Sequence, residues 1–272
     1  MGSKWIKIAV YLSAGITFAA LLFMVMFIFI KGIPYLSLDL FSWEYTTENQ
    51  SLLPSLLTTL IVVGLTLLIA APIGIFTSFY LVEYASKTSK FVSAIRMAVD
   101  TLAAVPSIVY GLFGMIFYVT FLGFQYSVAA GVLTSVIMIL PIIIRSTEEA
   151  LFSVSDTLRE ASYGLGAGKL RTIFRVVLPA AMPSILSGLI LASGRVIGET
   201  AALMYTLGTS THLPSGLFSS GRTLALHMYV LASEGLYVDK AYATGAVLII
   251  LVIVINSVAT LLSQTTIKET VK

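Results

Sequence analysis

Arg195 and Glu199 are the residues of this chain whose types and spacing most invite chemistry. They lie four apart inside the apolar run from Ala180 to Leu207. On a continuous helix that spacing places both side chains on one face, within reach of each other. A guanidinium is a planar fork matched to an oxyanion, and the carboxylate could accept from a protonated oxygen or neutralise the arginine when no anion is present. The same two charges could equally form a structural ion pair that ties helices together, since neither side chain can face lipid cheaply. His212 and His227 fall in or beside a polar loop and read as solvated or partner-facing. An enzyme with Glu199 as base would need one of them nearby, so their position argues against it. The absence of cysteine excludes disulfides, thiolate catalysis and cysteine-ligated metals. The string Gly164-Leu165-Gly166-Ala167-Gly168-Lys169-Leu170 only mimics a phosphate-binding loop. Such a loop needs four residues between its first Gly and the Gly-Lys pair, then Ser or Thr; here position 163 is Tyr and position 170 is Leu, so the chain itself is not expected to bind ATP.

The elements that must position these groups are membrane spans. The 272 residues are 58% hydrophobic and 11% charged, with a mean hydropathy of +0.99, against roughly 25% charged in soluble domains. A bilayer core takes about 20 apolar residues per helix. Runs without Asp, Glu, Lys or Arg give a first span at 8–30, a second at about 55–82 opened by Pro54, and a stretch at 101–144 too long for one crossing. Gly123-Phe124-Gln125 divides that stretch into spans three and four. Span five is 180–207, and span six takes the first 22 or so residues of 241–267. Six helices result, with no separate soluble domain. Placing alternate loops on opposite sides gives twelve basic residues inside, including Lys87, Lys268 and Lys272, and three outside, Lys31, Arg222 and Lys240. Both termini are therefore expected on the cytoplasmic side. The pI near 9.0 reads as this topology signal and not as nucleic-acid binding.

The loop between spans four and five is patterned. Thr157 to Glu160 has capping-box spacing, glycines at 164, 166 and 168 punctuate the middle, and Lys169 to Leu178 resumes helical spacing until Pro179 is expected to stop it. The pattern fits either an amphipathic hairpin on lipid or a docking element. Within it, Glu160-Ala161-Ser162, three residues, Gly166, nine residues, Val176, one residue and Leu178-Pro179 resemble the EAA loop of ABC importer permeases, with Ser162 and Val176 as mild departures. The resemblance implies a type I permease fold, all-α with six transmembrane helices. It also implies that the segment from Glu160 to Lys169, including Ala161, Ser162, Gly166 and Ala167, is a coupling helix seated on an ATPase subunit.

Gly194-Arg195-Val196-Ile197-Gly198-Glu199-Thr200-Ala201, the segment Ala104-Val105-Pro106-Ser107-Ile108-Val109-Tyr110-Gly111-Leu112-Phe113, and Leu81-Val82-Glu83-Tyr84-Ala85 are similar to permeases of the phosphate-specific transport (Pst) system, closer to its A-type than its C-type subunit. Ala202 departs from the proline common there. This resemblance assigns 1–50 to a first helix and outer loop, 51–264 to the importer transmembrane domain and 265–272 to a cytoplasmic tail. It implies inorganic phosphate import across the inner membrane of a prokaryote, with a C-type permease, two ATPase subunits carrying ATP and Mg, and an extracytoplasmic phosphate-binding protein as partners. No metal or cofactor is expected in this chain. Pro106 should kink span three and free a carbonyl for Ser107 or water. Ser107 and Tyr110 are candidates for the anion path beside Arg195 and Glu199. Arg145 is either a topology anchor or an exit-side anion contact. A related molybdate or sulfate permease, and a proton-coupled transporter using Glu199, are the alternatives.

Overall fold

Apolar runs in lipid must satisfy their own backbone hydrogen bonds, and this chain does so entirely with helices. The computed structural model describes residues 2–86 and 88–270, with side chains at 4, 6–86 and 88–261; no strand occurs among them. Lys87 and Lys272, and the side chain of Lys268, lie outside the described residues. The helices are α1 (Gly2–Gly32), α2 (Leu53–Phe79), α3 (Lys90–Ala104), α4 (Ser107–Gly114), α5 (Val128–Ser153), α6 (Asp156–Gly164), α7 (Lys169–Thr172), α8 (Leu178–Ile197), α9 (Ala201–Thr206), α10 (Leu224–Glu234) and α11 (Val238–Thr270). Wide π turns extend α2 through Tyr80–Tyr84 and α4 through Met115–Phe121, and another, Ile173–Val177, joins α7 to α8. Five helical segments are long and apolar enough to cross a membrane, and a sixth span comes from the bent pair α3 and α4.

α5 is the centre, packed between α2 and α8. Ile139, Ile143 and Val136 of α5 are buried against Val62 and Ala70 of α2, Ala192 and Val196 of α8, and Leu203 of α9. Gly74 lets Ile143 into α2, and Gly188 admits Ser146 to α8. α1 lies outside this body against α11, where Gly32 meets the Tyr242 carbonyl.

Three local expectations are corrected. Span three is not a kinked helix: Val105 and Pro106 are both extended, and α3 meets the α4 leg at 101°. The proline ring disfavours helical geometry at the preceding residue, and here Val105 takes the extended alternative, so the chain turns a corner. α3 is then a separate amphipathic helix, burying Val92 and Val99 and leaving Phe91 and Met97 exposed. Pro179 does not stop a helix. The π turn before it changes the hydrogen-bond register where the proline N–H is missing, and one helical segment runs from Lys169 to Ile197. The cap of α6 is Ser155, whose Oγ accepts from the Thr157 N–H at 3.2 Å, two residues before the expected Thr157. The turn at 123–125 is present, with Gly123 and Gln125 in the left-handed region.

Candidate functional site

The corner at Pro106 sets the first part of the site. The Leu102 carbonyl there accepts the Val105 N–H at 3.1 Å, and the buried Tyr110 hydroxyl, one turn into α4, donates to it as well at 2.6 Å. Tyr110, and not Ser107, supplies that side-chain bond; Ser107 is the half-buried first residue of α4. One residue on, Gly111 lies against α9. A Cβ there would come within 2.8 Å of the Ala202 Cα and 3.2 Å of the Ala201 carbonyl oxygen, so only glycine allows this approach.

The second part is the end of α8, where the expected partnership of Arg195 with Glu199 fails. α8 stops at Ile197, and Gly198 carries the chain out with φ −85° and ψ 0°. The four-residue rule holds only on an unbroken helix. Glu199 turns back into the protein, 5% exposed, and its Oε1 accepts the Ala202 N–H at 3.0 Å, serving the open N-terminus of α9. Arg195 stays on the exposed face of α8 and forms no ion pair among the described residues. The structure thus withdraws Glu199 from Arg195 and ties Tyr110 to the Pro106 corner. Arg145 has its own partner: its Nε donates to Asp100 Oδ1 at 3.0 Å, clamping α5 to α3 beside a cleft of about 300 Å³ that also holds Arg96, Glu148 and Glu149.

At that end of α5 the loop forms a helical hairpin. Gly166, at φ +83°, makes the turn, and the Ala167 N–H donates to the Ser162 carbonyl at 3.1 Å. The Ser162 and Thr172 hydroxyls bond each other at 2.9 Å, and the Lys169 ammonium sits 4.6 Å from the Tyr84 ring centroid. Glu160 and Ala161 are exposed, as is Leu165 at the tip. Two residues that the sequence shows only as motif positions, with no role assigned, hold this hairpin down. Glu83 and Arg159 form a buried ion pair at 3.0 Å. The available signal was Glu83 itself, an acid directly after a charge-free run.

At the opposite end, Gln125, Tyr126, Thr209, Ser210 and Ser220 line an open cleft of about 670 Å³. Nearby, the reading of His227 as solvated is overturned. It is fully buried on α10, a helix too short to register as a span, and its ring meets Tyr45 edge-on at 6.2 Å. Arg222 is also buried, 4.9 Å from the Tyr45 centroid. Burial first, then the Arg222 charge, pushes the His227 pKa down to about 3, and neither ring nitrogen finds a hydrogen-bond partner. The folded protein therefore refuses a proton that the unfolded chain accepts near 6.5. The stability of this neutral histidine is complete above about pH 6.5 and is lost as pH falls towards about 3. Melting temperature is expected to drop between about pH 7.5 and about pH 5, and His227→Gln, which cannot titrate, to flatten that drop. An equal drop in both proteins would refute the assignment.

Comparison with known proteins fits this architecture. Residues 70–268 match the family described as "Binding-protein-dependent transport system inner membrane component". The chain is 34% identical to the "Probable ABC transporter permease protein YqgI" of Bacillus subtilis, over 91% of this chain and 90% of that one. It is 39% identical to the "Phosphate transport system permease protein PstA 1" of Mycobacterium tuberculosis (strain CDC 1551 / Oshkosh), over 72% of this chain and 64% of that one. A solved bacterial alginate ABC transporter, in complex with its pentasaccharide-bound periplasmic protein, shares the fold with TM-score 0.71 at 18% identity, over 97% of this chain and 96% of that one.

Proposed function

Because the chain belongs to the family of binding-protein-dependent inner-membrane transport components, and is thus a permease subunit of a bacterial ABC importer, we propose that the anion it carries is inorganic phosphate. The observation that carries this reading is Arg195, a guanidinium on a membrane-spanning helix with no carboxylate partner among the described residues. A cation left in this state asks for an anion, and its fork suits a tetrahedral oxyanion better than a point charge would. Tyr110 adds a hydroxyl oxygen that can accept a hydrogen bond from a protonated oxyanion while its own O–H donates to the Leu102 carbonyl. Similarity to a phosphate permease supplies the substrate, which the guanidinium alone does not choose.

In this reading both termini are cytoplasmic and α6 with the Gly166 turn faces one of two ATPase subunits, where ATP and Mg bind. A related C-type permease completes the path, and a phosphate-binding protein delivers its cargo near the cleft of Gln125 and Ser210. Arg195, Ser107 and Tyr110 line the path. Glu199 contributes by holding α9 in place, and Arg145 by holding α5 to α3 at the exit. No covalent bond is made or broken in this chain.

The test is uptake of labelled phosphate into proteoliposomes carrying the chain with its partner subunits, with sulfate and molybdate as competitors. ATP-dependent uptake that neither competitor displaces is expected. Displacement by sulfate or molybdate would reassign the substrate, and uptake without any ATPase subunit would refute the importer mechanism.

A further inference from the structure

Arg159 spends every donor it owns. Its Nε and Nη2 give bonds of 3.1 and 3.0 Å to Glu83 Oε1, at the end of α2. Nη2 also donates to the Leu151 carbonyl at 2.8 Å, and Nη1 to the Val154 carbonyl at 2.7 Å, both at the end of α5. The remaining Nη1 hydrogen reaches Asp156 Oδ1 at 3.1 Å, within α6. A guanidinium carries five N–H groups in a fixed plane, and these five bonds use them all. The Arg159 and Glu83 side chains are only 13% and 7% exposed, so water competes little for the same positions. The other interhelical ion pairs among the described residues, Arg96 with Glu148 and Arg145 with Asp100, join α3 to α5 and leave the loop hairpin untouched.

From this we infer that Arg159 is the positioning residue that makes α6 move as one body with the ends of α2 and α5, so that a push on the hairpin reaches the bundle undiminished. The inference rests on the importer reading and adds to it where the force passes. A displacement at α6 is useful only if nothing between it and the spans can bend, and packed or fully bonded elements transmit it while loose loops absorb it. Lys169 on the Tyr84 ring gives a second attachment to the same turn of α2, beside the first. The pair is more than opposite charges in contact. The carbonyls of Leu151 and Val154 need donors at position 159, so exchanging the two charges would set a carboxylate against them.

The chain has no cysteine, so cysteines introduced at the exposed positions Phe76 and Leu158, the latter on α6 ahead of the docking segment, would carry its only two spin labels. In the assembled transporter the wild-type distance between them is expected to be narrow and unchanged by ATP. In Arg159→Lys it should broaden and shift with ATP, and the number of anions moved per ATP should fall roughly tenfold while hydrolysis continues, within the range known for coupling residues. Glu83→Gln, which keeps the carbonyl bonds, should fall between, and covers the case in which Arg159→Lys does not fold. The double exchange Glu83→Arg with Arg159→Glu should not restore coupling. A narrow distance and normal coupling in both Arg159→Lys and Glu83→Gln, or full recovery in the exchanged pair, would overturn the inference alone. Absence of ATP-driven uptake in the wild type would overturn the importer reading and the coupling role with it.

Discussion

Arg195→Gln is expected to lower ATP-driven anion uptake by about a hundredfold, the scale of losing one charged donor at an anion in a low-dielectric site. Assembly with the ATPase subunits should be unchanged, because Arg195 is far along the chain from the α6 hairpin and makes no ion pair whose loss would loosen the fold. Arg195→Lys should fall between, since it keeps the charge and loses the planar fork. Glu199 gives the contrast. Its carboxylate accepts the Ala202 N–H, and the amide oxygen of Glu199→Gln can accept the same bond, so that variant should transport close to the wild-type rate. Uptake and copurification measured on all three variants decide the matter. Unchanged uptake in Arg195→Gln, or a collapse in Glu199→Gln equal to that of Arg195→Gln, would remove the basis for this path.

Gly111→Leu should be more damaging to the protein itself. The atoms a side chain would meet are backbone atoms of α9, which cannot swing aside as a flexible side chain can. Forcing α4 away from α9 costs on the order of 1–3 kcal/mol or more as overpacking, and it also pulls Tyr110 off the Leu102 carbonyl. A clear loss of thermal stability and of transport is expected for leucine, with alanine showing a smaller loss of both. A leucine variant that melts and transports like the wild type would contradict the close packing of α4 on α9.

Much of the fold is legible in the sequence because a charge-free run of bilayer length has few physical alternatives. Spans one, two, four and six fall close to where such runs place them. Two departures occur where a local rule assumes an unbroken helix. Pro106 reads as a kink, but its effect on Val105 makes a corner, and the spacing of Arg195 and Glu199 loses its meaning once Gly198 ends α8. His227 sits in Leu224–Glu234, a run too short to cross a membrane, so nothing in its length marks it as buried. The role of Arg159 is hidden for another reason: three of its partners lie on other elements, and two of those are carbonyls whose availability depends on where α5 ends. The hairpin glycine, by contrast, is readable, because Gly166 occupies a conformation that other residues rarely adopt.

The corner at Pro106 also has a consequence for the lipid around the protein. It makes the α4 leg of the bent pair, Ser107–Phe121, at most about 22 Å long at about 1.5 Å per residue, where a typical hydrocarbon core is about 30 Å. The shortfall is met on one side by aromatic rings, with Tyr118 stacked on Phe124 and Phe124 edge-on to Phe218 over the end of the helix. On any side that protein does not cover, the bilayer must thin to meet the short helix. Hydrophobic mismatch at this one leg, beside five spans of 24–32 residues that are long enough to cross, therefore links the packing of α4 on α9 to the acyl chains around it.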